Sequence, residues 1–335
     1  MPKKDNMTTE TTTRLGSDRA VRRHESVLEL LPDLDEPTPL VRLNRVLAGS
    51  PADTFLKLEW LSPFGSVKDR AARYLIEGLL SRGELGGREV VEASSGNTAI
   101  ALAAIGALHG IRVTATVPQG VPEEKKIILR MLGAEVWETP DELCPVDHPR
   151  DGAIALAKSL AASQARTRYV MANQYENEDN VRAHYETTGP EVWAQTDQRV
   201  RVFAAGLGTM GTLTGVGRFL KEHDPGIRVV AVEPQPGHRL PGMKNLEEAK
   251  EPGIADWSVI DELVRIDDDP AYEMTKRLWR EEALMVGPST GAVVAAVEKL
   301  DLGIDDLVVA ISADSGQKYT SYFEEILGDE GRPQI

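Results

Sequence analysis

The chain has 335 residues, of which 41% are hydrophobic and 27% are charged, and its formal net charge at pH 7 is −15. This acidic balance argues against nucleic acid as a partner, because binding to phosphate needs basic surface. The only cysteine is Cys144, which excludes an intrachain disulfide and a cysteine-based metal site, and the six histidines have no metal-binding spacing.

The chain begins with a polar segment, residues 1–25, which is predicted to be a mobile N-terminal arm. This segment has no apolar stretch of the kind found in secretory signals. The longest apolar run, 99–108, is too short to span a bilayer. The sequence therefore predicts a cytoplasmic protein without a membrane partner.

Short apolar runs alternate along the chain with amphipathic helical segments. The predicted strands are 54–59, 89–93, 111–117, 168–172, 200–205, 228–233 and 307–312. The predicted helices are 66–82, 97–109, 122–132, 152–163, 180–195, 212–223, 270–283 and 290–300. This alternation predicts an α/β fold in which helices cover both faces of parallel sheets. The length favours two domains, with a boundary near 175–180.

The stretch "WLSPFGSVKDRAARYL", residues 60–75, predicts the end of a strand, a turn and the start of a helix. Ser66 and Asp69 fit a helix start signal. Lys68 then lies at the helix N-terminus on its inward face, where the helix dipole and burial both favour a neutral, nucleophilic amine. A surface lysine that extends its charge into water would explain this stretch equally well on its own.

Polar residues cluster in "VVEASSGNTAIALA", residues 90–103, where a predicted strand runs into a helix. They are Ser94, Ser95, Asn97 and Thr98. Hydroxyls, an amide and free backbone N–H groups at a helix N-terminus suit an anion such as a carboxylate. Ordinary N-capping needs only one such residue, so the cluster favours an anion site.

A glycine pattern of the type G-x-G-x-x-G occurs in "VFAAGLGTMGTLTGVGRFL", residues 202–220, after a predicted strand. Its glycines are Gly206, Gly208 and Gly211. The backbone of such a turn can hold a phosphate. Glu233 ends the next predicted strand, about where a dinucleotide-binding fold places its ribose-binding acid. An NAD-dependent oxidoreductase is therefore an alternative interpretation.

A third polar turn, "VGPSTGAVVAAVEKL" at residues 286–300, places Ser289 and Thr290 at the start of a small-residue helix, which alone indicates only a capped helix. The combination of turns is more informative. A lysine, an anion-binding turn and a separate phosphate-binding turn suit a phosphorylated aldehyde cofactor. Pyridoxal phosphate needs a Schiff-base lysine, a phosphate cup and a partner for its ring nitrogen.

Ten segments of the chain occur in the order and at the spacing of one enzyme family. They are "TPLVRL", "SPFGSVKDR", "SSGNTAIALA", "MLGAE", "NQYEN", "TTGPEVW", "AAGLGTMGTLTGVGRFL", "VEP", "GPSTGAV" and "SADSGQKY". From about residue 36 to 323 the chain resembles the cysteine synthase / cystathionine β-synthase family of pyridoxal-phosphate enzymes, fold type II.

The resemblance implies roles for residues at matched positions. Lys68 would form the Schiff base with pyridoxal phosphate and move the α-proton, and Ser289 would contact the ring nitrogen. Asn97 would bond the phenolic oxygen of the cofactor. The cofactor phosphate would be held by Gly208, Thr209, Met210, Gly211 and Thr212. The substrate, through its α-carboxylate, would be bound by Ser94, Ser95, Asn97, Thr98 and Gln174.

The chain departs from the family pattern at three places, one of which is Pro122, where the family usually has a serine at a helix start. The substrate turn reads S-S-G-N-T-A where the family usually has T-S-G-N-T-G. The Pro- and Gly-rich segment 234–262 carries "GMKNLEEA" where acetylserine enzymes have a Gly-rich stretch. Lys244 falls near an arginine of relatives that use O-phosphoserine, and it would meet a phosphate as a point charge. An exposed loop lysine is an equal alternative, so the leaving group stays open.

The resemblance implies a β-replacement reaction on O-acetylserine or O-phosphoserine, in which sulfide or another thiol gives L-cysteine or a related product through an α-aminoacrylate. Two alternatives within the family are cystathionine β-synthase and serine/threonine dehydratase activity. A non-catalytic binding protein of the same fold is a further alternative from another class.

The family architecture consists of two open three-layer α/β domains, as in the β-subunit of tryptophan synthase, usually in a homodimer. On this basis residues 54–178 are expected to form the smaller domain, which carries the substrate-carboxylate turn. Residues 36–53 together with 179–326 are expected to form the larger, cofactor-binding domain.

Overall fold

The computed structural model describes residues 23–140, 152–162, 168–320 and 323. Cys144 and residues 1–22 of the predicted arm lie outside this part of the chain. Within it, no helix combines the length and the apolar character needed to cross a bilayer. The same residues contain no group of three or more His, Cys, Asp or Glu side chains that could hold a metal ion.

The strands of the described chain form two separate sheets. They are β1 Leu40–Arg42, β2 Asp53–Leu58, β3 Glu89–Ala93, β4 Val113–Pro118, β5 Glu135–Thr139, β6 Tyr169–Met171, β7 Val202–Gly206, β8 Arg228–Pro234, β9 Glu262–Ile266 and β10 Leu307–Ser312. The larger sheet has the order β1-β2-β10-β7-β8-β9, and the smaller sheet has the order β5-β4-β3-β6. All pairings are parallel except that between β1 and β2.

Helices cover these sheets. They are α1 Lys68–Ser81, α2 Asn97–Leu108, α3 Glu123–Met131, α4 Ala153–Ala162, α5 Asp179–Ala183, α6 Gly189–Gln195, α7 Gly211–His223, α8 Asp268–Glu282 and α9 Pro288–Val297. In β7, Ala204 belongs to a core cluster shared with α8 and α9, whereas its neighbour Phe203 belongs to a cluster shared with α7. Because successive residues of a strand point to opposite faces, helices lie on both sides of the larger sheet.

The smaller sheet is covered in the same way. Val90 of β3 packs in a cluster with Leu75 of α1 and Leu102 of α2. The next residue, Val91, packs with Ala157 of α4 on the opposite face. The predicted α/β class, with parallel sheets between helices, is confirmed.

Three strands and one break were not predicted. β1, β5 and β9 were missed, and the single helix predicted at 180–195 is divided into α5, a π-helical turn at His184–Thr188, and α6. Gly189 is the first residue of α6, and the side chain of Phe219 packs against it. A Cβ added at Gly189 would lie 2.8 Å from the Cβ of Phe219, so only glycine fits there. The π turn shifts the side chains of this segment relative to a regular helix.

The chain crosses between the two sheets just before Lys68. β2 pairs with β10 in the larger sheet over the whole of its length. The expected smaller domain, 54–178, includes this strand, so its first residues lie in the other sheet and that boundary is too early. The remainder of the expected division into 36–53 plus 179–326 and 54–178 stays a prediction.

Candidate active site

Lys68 is the first residue of α1 and lines a pocket at the carboxyl ends of β7 and β10. The segment before it is held to the end of β10, because the N–H of Val67 donates to the carbonyl oxygen of Ala313 at 2.8 Å. Burial lowers the pKa of Lys68, and the carboxylates of Asp314 and Glu59 oppose that shift. In the described part of the chain, Lys68 Nζ has no hydrogen-bond partner or ion pair, which suits a reactive amine.

The predicted helix start at Ser66 and Asp69 forms a denser arrangement than a capping box. Ser66 Oγ accepts the N–H of Lys68 at 3.3 Å. Asp69 Oδ2 reaches further back, where it accepts the N–H of Phe64 at 2.7 Å and the hydroxyl of Ser62 at 2.6 Å. The turn that delivers Lys68 is therefore fixed by its own side chains.

The glycine turn after β7 forms the floor of the pocket. The pocket together with its open mouth contains about 510 Å³ of space that is free of protein atoms. Among the predicted site residues, those lining it are Lys68, Gly208, Thr209, Met210, Thr212 and Ser289. Met210 has a left-handed backbone with φ of 71°, and α7 begins at the next residue, Gly211. The first N–H groups of a helix have no partner within it, so this turn suits a phosphate.

Two residues that the sequence analysis missed support the turn from behind. Asn180 Nδ2 donates to Thr209 Oγ1 at 3.1 Å. His184 Nε2 lies 3.2 Å from Thr212 Oγ1, and its Nδ1 lies 2.9 Å from Thr188 Oγ1. Burial, and then the cations of Lys68 and Arg70, lower the pKa of His184 to about 3. The imidazole is therefore neutral and fixes a threonine hydroxyl instead of adding a charge.

The second polar turn lies at the start of α2. Thr98 Oγ1 donates to Gln174 Oε1 at 2.7 Å, and both residues are buried. The hydroxyl of Ser94 accepts the N–H of Gly96 at 3.3 Å, and Ser95 is half-buried beside it. The structure thus brings Thr98 and Gln174 together, but none of these residues lines the pocket around Lys68.

Another missed residue lies beneath this turn. Glu92 of β3 is fully buried, and its Oε2 accepts the N–H of Asn173 at 2.6 Å. Burial raises the pKa of Glu92 to about 7, although hydrogen bonds from Asn173 and Gln174 oppose the shift. A glutamate that follows two valines near the end of the predicted strand "EVVEA" was the sequence signal that could have found it.

Asn97 begins α2 and bridges to the loop after β10. Its Nδ2 donates to Asp314 Oδ2 at 2.6 Å, and its Oδ1 accepts from Lys318 Nζ at 2.9 Å. Asp314 and Lys318 lie in the quoted "SADSGQKY" segment, but the sequence analysis gave them no role. These contacts connect the polar turn at α2 to the larger sheet.

Glu233 is the penultimate residue of β8, one position before the end of the strand, and its carboxylate already has hydrogen-bond partners. Its Oε1 accepts the N–H of Leu246 at 2.7 Å, and its Oε2 accepts from Arg265 Nε at 2.8 Å. The side chain is buried. A carboxylate held in this way is not available to bind the hydroxyls of a nucleotide ribose, which argues against the NAD interpretation.

Lys244 lies outside the Lys68 pocket, although its neighbour Met243 lines it. Its Nζ stands 4.5 Å from the centre of the Tyr175 ring. It lines an outer cleft with about 650 Å³ of open space, which includes the lysines Lys158 and Lys250. We call this space the outer cleft. Glu176 and Glu251 also line the outer cleft, so charges of both signs meet there.

Comparison with known proteins agrees with this geometry. Residues 31–314 match a family described as pyridoxal-phosphate dependent enzyme. Cysteine synthase of Aquifex aeolicus is 37% identical over 308 residues, which cover 89% of this chain and 91% of the relative. Cysteine synthase B of Escherichia coli is 38% identical over 286 residues, with 85% and 92% covered.

Solved structures give the same picture. A crystal structure of cysteine synthase from Entamoeba histolytica has a TM-score of 0.83 and 29% identity, and the match covers 94% of this chain and 95% of that one. A crystal structure of O-ureido-L-serine synthase has a TM-score of 0.81 and 32% identity, with 94% and 98% covered.

Proposed function

This chain belongs to the family of pyridoxal-phosphate-dependent enzymes, and on that premise we propose that it makes L-cysteine by β-replacement on an activated L-serine with sulfide. The activated serine would be O-acetylserine or O-phosphoserine. The observation that carries the proposal is the pocket in which the unpaired amine of Lys68 faces the glycine turn and Ser289. The cysteine synthases matched at 36–39% identity over most of this chain support the same reaction.

The residues of the pocket fit pyridoxal phosphate. Lys68 would supply the amine for its aldehyde, and the N–H groups around Gly208 to Thr212 would hold its phosphate. Ser289 Oγ, which has no hydrogen-bond partner in the described chain, would be the partner of its ring nitrogen. The bound cofactor draws electrons from the α-carbon of an amino acid attached to it. Asn97 completes the proposed set as the partner of the phenolic oxygen.

The polar turn at α2 would bind and orient the substrate. Its members are Ser94, Ser95, Asn97, Thr98 and Gln174. The N-terminus of α2 adds backbone N–H groups that favour a carboxylate. A carboxylate fixed there would limit the orientations of the substrate, and the amine of Lys68 would take the proton from its α-carbon. The lowered pKa of Lys68 increases the fraction of neutral amine that can do so.

Ser289 is proposed to direct the reaction toward elimination. A neutral hydroxyl does not hold a proton on the ring nitrogen, unlike an aspartate. Charge on the α-carbon is then less delocalised, and the group on the β-carbon leaves promptly. We expect Ser289→Asp to increase side reactions such as transamination, and an unchanged product distribution would contradict this role.

Lys244 is proposed to interact with the leaving group of the substrate. Its backbone N–H donates to the carbonyl oxygen of Leu207 at 2.8 Å, which holds it next to the glycine turn. Its ammonium faces the outer cleft, where Lys158 and Lys250 stand beside the carboxylates of Glu176 and Glu251, and Lys158 pairs with Glu176 at 3.3 Å. Three lysines against two glutamates leave a small net positive charge, which would favour a phosphate only slightly over a neutral acetyl group. O-acetylserine and O-phosphoserine therefore both stay in the proposal.

We also propose a cytoplasmic homodimer that takes a small amino acid and sulfide or thiol. The resemblance over about residues 36–323 supports both parts of this proposal. The rival reactions, which form cystathionine from serine and homocysteine or a keto acid from serine or threonine, use the same pocket. The experiment below separates them.

The test is an absorption spectrum of purified wild type and Lys68→Ala, before and after addition of O-acetylserine, O-phosphoserine or serine, followed by sulfide with cysteine quantified. Lys276→Ala is the control, because Lys276 of α8 pairs with Glu273 away from the pocket. We expect a cofactor band in wild type and control, loss of the attached-cofactor band in Lys68→Ala, and a substrate-induced shift with one ester that sulfide reverses.

Other outcomes distinguish the alternatives. A shift with serine alone and homocysteine consumption would indicate cystathionine formation. Keto-acid release without thiol would indicate a dehydratase. A protein that stays colourless with added cofactor would refute the enzyme proposal, and nicotinamide binding at Gly206–Gly211 would then be tested.

A further inference from the structure

Both ends of the Asn97 side-chain amide are engaged across the cleft between the two sheets. Nδ2 donates to the carboxylate of Asp314 at 2.6 Å, and Oδ1 accepts from the ammonium of Lys318 at 2.9 Å. Asn97 begins α2 on the smaller sheet, whereas Asp314 and Lys318 follow β10 of the larger sheet. One amide therefore meets a carboxyl group at one end and an amine at the other. Burial raises the pKa of Asp314 and lowers the pKa of Lys318, and the attraction between the two groups opposes both shifts and favours the charged pair.

This pair of charges allows only one orientation of the amide. A lysine ammonium only donates hydrogen bonds, and an ionised carboxylate only accepts them. Rotating the amide by half a turn would place its NH₂ against the ammonium of Lys318 and its oxygen against the carboxylate of Asp314. Both contacts would become repulsive, and hydrogen bonds to charged groups are the stronger kind.

The charged pair is itself firmly held. Asp314 is buried, and its Oδ2 accepts a second, short hydrogen bond from the hydroxyl of Tyr319. Lys318 Nζ also donates to the carbonyl oxygen of Phe64 at 3.1 Å. Gly287 has no room for a side chain here, since an added Cβ would lie 2.1 Å from Asp314 Oδ1. The carboxyl group of Asp314 therefore packs directly against the backbone of Gly287.

The same segment also holds the turn that precedes Lys68. Ser66 and Asp314 form an isolated β-bridge two residues before Lys68. The position of the Asn97 amide and the position of the Lys68 amine are thus set by one short piece of backbone after β10. A displacement of this backbone segment would therefore move the Asn97 amide and the Lys68 amine together.

We propose that Asp314 and Lys318 are positioning residues that fix Asn97 as a hydrogen-bond donor toward the phenolic oxygen of pyridoxal phosphate. With its oxygen on Lys318 and one N–H on Asp314, the amide has one N–H left. That N–H stabilises negative charge on the phenolic oxygen. The inference deepens the proposed function, since it rests on the proposed place of Asn97 in the site.

The test measures the resting enzyme without substrate, at one fixed pH. The readout is the ratio of the two absorption bands of the bound cofactor, which report whether its phenolic oxygen carries charge. Lys318→Met removes the cation, Lys318→Arg retains it, and Gln317→Met is the matched control, because Gln317 is exposed on the same turn. Asp314→Asn is the companion variant. Each change is also made in an Asn97→Ala background.

We expect Lys318→Met to change the band ratio several-fold, about fivefold for one hydrogen bond of ordinary strength. Lys318→Arg should restore most of the ratio, and Gln317→Met should leave it unchanged. In the Asn97→Ala background, Lys318→Met should have no further effect. Asp314→Asn should shift the ratio in the same direction as Lys318→Met.

Two results would overturn the proposal. The first is an unchanged ratio in Lys318→Met. The second is an equal change with and without Asn97, which would mean that Lys318 acts on the cofactor directly or only on stability. Because no substrate is present, failure to make cysteine would refute the proposed reaction and leave this inference intact, and the reverse also holds.

Discussion

Asn180 donates one hydrogen bond to the hydroxyl of Thr209 at 3.1 Å and another to the carbonyl oxygen of Gln174 at 2.8 Å. A single buried amide therefore joins the glycine turn, proposed for the cofactor phosphate, to the residue that holds Thr98 in the other turn. Neither turn can shift without disturbing the support of its neighbour. This sharing makes the space around Asn180 a sensitive place to perturb the site.

Gly211→Ala tests that sensitivity. An added Cβ at Gly211 would lie 2.2 Å from Asn180 Oδ1, so the amide must move away from Thr209. Gly211 lies in the helix α7, which accepts alanine readily, so the effect is steric and not conformational. We expect cofactor affinity to fall by at least about tenfold, as measured by titration of the apoprotein. Gly49→Ala, which has no atom within 4 Å of its new Cβ, is the control.

His184→Phe tests the neutral imidazole behind Thr212. The substitution roughly conserves volume but removes the contacts to Thr188 and Thr212. We expect about a tenfold loss of cofactor affinity, with little change in the overall fold. His223→Phe is the matched control, since His223 stacks on Phe219 away from the pocket. An equal loss of cofactor affinity in the two variants would show that the effect does not depend on the contacts of His184 to Thr188 and Thr212.

Glu92 predicts a pH dependence of stability. Its pKa is raised from 4.5 to about 7, so the folded protein binds a proton there that the unfolded chain has released. The stabilising contribution is complete below the unfolded pKa and is lost as pH rises through about 7. Between about pH 5 and about pH 8, protonation of Glu92 should change the unfolding free energy by up to roughly 3 kcal/mol. Urea unfolding of Glu92→Gln at the two pH values should lack this difference. An unaltered difference would contradict this account.

Arg70 predicts a large difference between two arginines of one helix. Its buried guanidinium pairs with Glu59 at 2.6 Å and also bonds Glu191 Oε2 at 2.8 Å. Burial alone would raise the pKa of Glu59, but the cations of Arg70 and Lys57 lower it to about 2. Arg70→Met leaves the two buried carboxylates with only the cation of Lys57, which pairs with Glu191 at 2.6 Å, and should cost about 3–5 kcal/mol of unfolding free energy. Arg73→Met, which breaks only an exposed pair with Glu77, should cost about 0.5 kcal/mol or less.

The predictable part of the fold was the part buried on both faces. β4 and β10 are buried at every position, and each was found as a short apolar run. β5 and β9 are edge strands whose buried and exposed residues are mixed with charges, as in "EVWET" and "ELVRI", and they carried no such run. Edge strands are recognised by their neighbours, which a single sequence does not give.

The candidate site divides in the same way. Lys68 and Ser289 were predicted because their turns belong to an ordered set of family motifs, although each turn alone is ambiguous, and the structure brings the two residues to one pocket. Asn180 and His184 gave no local signal because their roles depend on contacts with Thr209 and Thr212. These two threonines lie about 30 positions further along the chain. The π turn that carries His184 likewise has no reliable sequence mark. Long-range contacts of this kind are determined by tertiary packing and not by spacing.

The place of β10 has a consequence for how the protein is synthesised. β2 emerges from the ribosome early, but in the larger sheet its parallel neighbour is β10, whose residues come about 250 positions later. Until then one side of β2 lacks its partner, and the wall of the pocket formed by Ile311 and Ala313 does not exist. Non-local pairing of this kind is slow and leaves strand edges exposed. Cofactor binding is therefore expected late in the synthesis of each chain. A nascent chain halted before residue 307 should lack the absorption band of the bound cofactor.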